Sequence, residues 1–88
     1  MKTLVIIDDE VFFRKSLINF LEKQNIYKIV GEANNGQAGI KLIENIKPDI
    51  ALVDISMPIM SGLDMIETFG ADCHTKFILS TGYEDFEY

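Results

Sequence analysis

The sequence predicts an α/β domain with a parallel sheet and helices on both faces. Short apolar runs rich in β-branched residues alternate with segments of about ten residues whose apolar positions recur at helical spacing. Several of these runs are continuous, as in strands buried on both faces of a sheet. Strands joined through helices close into right-handed crossover units, and such units build parallel sheets. Propensity alone leaves the order of the strands open.

The elements follow in turn. Residues Thr3–Asp8, "TLVIID", read as the first buried strand. Phe13, Leu17, Phe20 and Leu21 then form a stripe at helical spacing, with charged residues between them. "YKIVGEA" alternates and reads as a second strand. "NNGQAGIKLIENI" opens on turn residues and sets Ala38, Leu42, Ile43 and Ile46 on one helical stripe. That helix ends at Lys47-Pro48, because the residue before a proline avoids the α region. Gly36 and Gly39 belong to this turn and helix start, since a lone G-x-x-G is weak evidence for a phosphate loop. Asp49–Asp54, "DIALVD", is a third buried strand. Ser61, three residues before Asp64, marks the start of a short helix around Leu63–Phe69. Thr75–Ser80, "TKFILS", is a fourth strand, and "TGYEDFEY" reads as a loop entering a fourth helix.

The 88 residues make one domain, 1–88, with no linker, repeat or low-complexity tract. A chain this small hides roughly two-thirds or less of the surface it exposes when unfolded, so its stability margin is thin. No apolar run approaches the roughly 18 residues a membrane span needs. The acids that close "MKTLVIIDDE" stand where a signal peptide would have its small-residue cleavage site, and a cytoplasmic location is expected. The single cysteine, Cys73, suits a reducing compartment, and Cys73-His74 reads as a loop. A net charge of −6 with scattered basic residues argues against direct nucleic-acid contact. Met57 and Met60 read as packing residues.

In open parallel sheets, chemistry collects outside the carboxyl ends of the strands. Asp8 and Asp9 end the first strand and Asp54 ends the third. If those strands are neighbours, roughly 5 Å apart, the three carboxylates share one small volume. Repulsion would then force some of them to take up protons. A divalent cation relieves the conflict, and Mg²⁺ suits a site of few carboxylates, waters and a phosphate oxygen. The plainer alternative is that each Asp ends a strand and caps a helix. Asp54 follows "IALV" and precedes a turn at Pro58 and Gly62, so it is a carboxylate held in place that can act as a nucleophile toward phosphorus. Thr81 lies past the fourth strand on the same edge, where its hydroxyl can hydrogen-bond a phosphoryl oxygen.

"VIIDDE", "LVDISMPIMSGLD" and "FILSTGY" together resemble the receiver domain of bacterial two-component response regulators, over the whole chain. The resemblance implies a flavodoxin-like sheet of order 2-1-3-4-5 and an acyl phosphate formed on Asp54 from a histidine kinase partner. It implies Mg²⁺ held by Asp9 and Asp54 directly, by the backbone carbonyl of Ser56, and by Asp8 largely through water. Thr81 becomes the hydroxyl that reports the modified state. The ending weakly resembles receivers joined to DNA-binding output domains.

The chain departs from the family after the fourth strand. Expected to be missing are the fifth strand with its phosphate-pairing lysine, the fifth helix and most of the fourth helix. Losing one such charged group costs on the order of 3 kcal/mol of transition-state stabilisation. An open fourth strand and a partly uncovered first helix lead to the expectation of self-association, as a homodimer or an exchanged dimer. Truncation, or further residues beyond Tyr88, would account for the stop. Two other functions remain open. One is a Mg²⁺-dependent phosphohydrolase with an aspartyl-phosphate intermediate, disfavoured by Ser56 where such enzymes carry a second acid. The other is an interaction domain that never carries phosphate. In the leading reading the chain is no enzyme and at most catalyses its own phosphorylation and dephosphorylation.

Overall fold

The computed structural model describes residues 1–70 and 72–80, and the backbone of 85–87. The elements run β1 (Lys2–Ile7), α1 (Val11–Gln24), β2 (Tyr27–Ala33), α2 (Gly36–Ile46), β3 (Ile50–Asp54), α3 (Gly62–Glu67), β4 (Lys76–Ser80) and β5 (Asp85–Glu87). The sheet order is β2-β1-β3-β4-β5. The first four strands are parallel, in the expected order.

The continuous apolar run of β1 is explained by its central place. Leu4, Val5, Ile6 and Ile7 are all buried, because helices or neighbouring side chains cover both faces. Val5 and Ile7 join Ala51, Val53 and Leu79 in one core cluster, closed by Ile43 of α2 and Met65 of α3. Met57 is buried in this cluster and Met60 packs against it, which fits their reading as packing residues.

Helix ends follow local chemistry. The Asn35 side chain accepts the Ala38 N–H at 2.8 Å, and Ser61 Oγ accepts the Asp64 N–H at 3.2 Å. Lys47, just before Pro48, ends α2 in the left-handed region at φ 52°. The α1 stripe is only partly covered: Leu17 and Leu21 are half-buried, whereas Phe13 and Phe20 are exposed.

One expectation is corrected. Residues 85–87 form β5, a short strand antiparallel to β4 with Leu79 opposite Phe86, where a fourth helix was expected. The outer edge of β4 otherwise presents unpaired N–H and C=O groups. A first helical turn would fix several residues for a single hydrogen bond, whereas the strand edge offers ready partners. Residues 81–84, including Thr81, lie outside the described residues.

Gly62 fixes how α3 leaves β3. Its N–H donates to the Ile55 carbonyl at 3.1 Å. A Cβ there would stand 2.5 Å from the Asp54 carbonyl oxygen and 3.0 Å from Ile55 Cα. These are backbone atoms of the strand end and cannot swing aside. Gly62→Ala is expected to cost about 1–3 kcal/mol, read as a lower Tm. Gly70→Ala, whose Cβ meets nothing within 4 Å, should change stability by less than about 0.5 kcal/mol. Equal melting of the two variants would contradict this account of the turn.

Candidate functional site

Ile7 pairs with Val53, so the residues that follow them, Asp8 and Asp54, emerge side by side from adjacent parallel strands. Asp9 follows on the β1–α1 loop. Carboxylate oxygens of Asp8, Asp9 and Asp54 lie within 4.8 Å of one another, with Asp8 buried, Asp54 half-buried and Asp9 exposed. The structure therefore brings together the three acids singled out from sequence.

Each strand-end acid is held by its own loop. Asp8 Oδ1 accepts the Glu10 N–H at 2.8 Å, and Asp54 Oδ1 accepts the Ser56 N–H at 3.0 Å. Backbone bonds pin the same positions: the Asp8 N–H donates to Ala33 and the Ile55 N–H to Ser80. Ser56 itself is exposed, beside Asp54. Ser80 lies opposite Asp54 and is buried.

The electrostatics reflect this crowding. Burial pushes the Asp54 carboxyl from its ordinary 3.8 to about 6; the Ser56 N–H opposes the rise, and the charges of Asp8 and Asp9 add to it. Burial likewise raises Asp8, against the pull of the Glu10 N–H and with Asp9 adding to it. Three hard oxygen donors at this spacing suit a hard divalent cation, and binding one would remove the repulsion that now favours protonated forms.

Two nearby features were not legible as functional. Arg14 is a buried cation, reaching from α1 to the Asp8 carbonyl at 2.6 Å and to Glu32 at 2.6 Å. A signal for it existed in an Arg one turn into the helix after paired acids, with Glu32 ending an alternating strand. Ile59 sits at φ 70° in a tight turn closed by Met60 N–H to Pro58 C=O at 2.7 Å. It is fully exposed, and nothing in a β-branched residue announces a positive φ.

Larger clefts lie at the opposite end of the strands. One of about 640 Å³ is bordered by Lys47, Phe69, Cys73, His74 and Thr75. Lys47 and Thr75 precede β3 and β4, so this cleft faces away from the acids. His74 there pairs with Asp49 at 3.0 Å, which also accepts from Thr3. That network ties the β1 and β3 starts together.

The sequence profile of the family described as response regulator receiver domain matches residues 4–88. A transcriptional regulatory protein of Bacillus subtilis, YdfI, is 36% identical over 85 residues, covering 97% of this chain and 40% of that protein. This chain thus spans well under half the length of that relative. Among solved structures, the receiver domain of NarL from Mycobacterium tuberculosis superposes with a TM-score of 0.79 at 31% identity, over 89% of this chain and 64% of that one. The response regulator domain of CheB from Thermotoga maritima gives a TM-score of 0.82 at 26% identity, over 90% of this chain and 59% of that one. No helix among the described residues is long and apolar enough to cross a membrane.

The raised Asp54 carboxyl has a stability consequence whose sign is fixed. The folded state holds this proton more tightly than the unfolded chain, so ionising Asp54 costs stability as pH rises from about 4 to about 6, and the loss persists above. In metal-free buffer at neutral pH, Asp54→Asn should stabilise the fold by on the order of 1 kcal/mol, less than the full shift because water reaches the site. That corresponds to a Tm increase of about 4–8 °C, fading as the medium is acidified below Asp54's midpoint. A lower Tm at neutral pH, or a gain equally large in acid, contradicts the assignment.

Proposed function

The chain belongs to the response regulator receiver domain family, and from that premise we propose that it is a phosphoacceptor relay domain in which Asp54 takes a phosphoryl group from a histidine kinase. The observation that carries the proposal is the convergence of Asp8, Asp9 and Asp54 within 4.8 Å at adjacent strand ends. One Asp54 oxygen forms a bond to phosphorus while the bond from phosphorus to the donor imidazole nitrogen breaks. The imidazole leaves with that electron pair and takes a proton from water. Asp54 is suited to this role because the Ser56 N–H holds its other contact point and the Gly62 turn fixes its backbone.

Asp8, Asp9 and Asp54, with the Ser56 backbone carbonyl, are the proposed holders of Mg²⁺. When bound, the ion supplies positive charge that offsets the charge of the transferring phosphoryl group. Asp54 must be ionised to attack, and a cation at the triad favours that form. Thr81, which lies outside the described residues, is the proposed switch hydroxyl on the resemblance that "FILSTGY" carries. A location in the cytoplasm and a link to transcription belong to the same proposal, the second resting only on the name of the Bacillus subtilis relative. Ser56, where an acid would serve turnover, supports a relay role over hydrolysis of outside substrates.

We propose in addition that the chain self-associates, on the evidence of Phe13 and Phe20 exposed along α1 and, among the described residues, a β4 edge paired over three positions. Sedimentation at tens of micromolar should show a dimer, and a clean monomer there would refute it.

Incubation with acetyl phosphate and Mg²⁺ should give a species about 80 Da heavier, one phosphoryl group, in the intact mass. The adduct should be absent from Asp54→Ala and from samples with excess chelator. No adduct, even from a chain extended to the length of its relatives, would overturn the relay reading.

A further inference from the structure

Arg14 holds the loop that carries Asp9 from both sides. Its backbone N–H donates to the Glu10 carbonyl at 2.9 Å, opening α1. Its guanidinium turns back past the helix start, and Nη1 donates to the Asp8 carbonyl at 2.6 Å in a buried bond. The peptide bearing Asp9 thus runs between two carbonyls gripped by one residue. Arg14 is only 9% exposed. A buried guanidinium is tolerated when its donors are met by carbonyl and carboxylate partners.

Glu32, near the end of β2, supplies that carboxylate. Its Oε1 accepts Arg14 Nε at 2.6 Å, and Lys15 Nζ approaches Oε1 and Oε2 at 3.0 and 2.9 Å. The planar fork of Arg14 therefore spans from β2 to the end of β1, a reach and geometry that a lysine does not reproduce. The neighbouring backbone bond runs the same way, from the Asp8 N–H to the Ala33 carbonyl at 3.0 Å.

We propose that Arg14 is a positioning residue for the acid cluster: clamped by Glu32, it fixes the Asp8–Glu10 backbone and so aims the Asp8 and Asp9 carboxylates toward Asp54. The inference rests on the reading of Asp8, Asp9 and Asp54 as a cation site. Charge and position predict opposite signs. A cation near a cation site repels Mg²⁺, so if Arg14 acted by charge alone, neutralising it would tighten binding. If it positions the ligands, neutralising it loosens binding.

The test is Mg²⁺ titration of the purified chain by calorimetry, at a temperature where metal-free melts show each variant folded. The variants are Arg14→Met, Arg14→Lys and Glu32→Gln. Arg14→Met should weaken Mg²⁺ binding roughly tenfold or more, in the range typical of groups that orient metal ligands. Arg14→Lys, which keeps the charge and loses the fork, should recover only part of that loss. Glu32→Gln should weaken binding several-fold while leaving every acid of the cluster in place. If Arg14→Met does not fold, the other two variants carry the test. Binding within twofold of the parent, or tighter, in the folded variants overturns the proposal, even where their melting temperatures fall. If the parent chain itself shows no saturable Mg²⁺ binding, the cation-site reading fails and takes this inference with it.

Discussion

Three carboxylates forced into one small volume set the terms for the rest of this structure. The pairing of β1 with β3 sets Asp8 and Asp54 side by side, and Asp9 follows on the adjoining loop, so that all three lie within 4.8 Å. Apolar burial decides the register, since a one-residue slip would turn Val5, Ile7, Ala51 and Val53 out of the core. The hydrophobic effect thus compels an arrangement that electrostatics opposes. The cost is visible in the Asp54 carboxyl, pushed up to about 6 by burial and by its two neighbours. Such a site fits the proposed binding of Mg²⁺ and acceptance of a phosphoryl group.

Around that conflict the chain spends its strongest local chemistry on holding backbone still. Gly62 lets α3 leave within van der Waals contact of the Asp54 carbonyl, where any side chain would strike main chain. Asp8 and Asp54 each accept an N–H two residues ahead, so each carboxylate organises the loop that follows it. Arg14 and Glu32 act from the other side, bracing the β1 end against β2. Ile59, a β-branched residue, holds φ 70° in the turn after Pro58.

Much of this was legible in the residues. Continuous apolar runs ending on Asp8 and Asp54 announced buried strands with acids at their carboxyl ends, and the stripe of α2 and the Ser61 cap read directly. The sheet order was not readable from propensity, because nothing local tells β1 which strands flank it; it came from the resemblance. Arg14 stayed hidden between Phe13 and Lys15, where a basic residue reads as solvent-facing. Its burial depends on Glu32, 18 positions away. The segment Asp85–Glu87 was misread as helical, since three residues have no periodicity and the edge of β4 decides their conformation. The partial exposure of the α1 stripe, by contrast, followed from expecting little to cover that face.

Within the proposed function, a cation resolves the conflict among the coupled acids of the cluster. Carboxyl ¹³C NMR, with Asp8 and Asp54 assigned and titrated in metal-free buffer and again with saturating Mg²⁺, tests this. An Asp54 midpoint near 6 is expected without metal, with a clear fall on adding Mg²⁺ and an accompanying shift at Asp8. An Asp54 that titrates near its ordinary 3.8 without metal and ignores Mg²⁺ would contradict it.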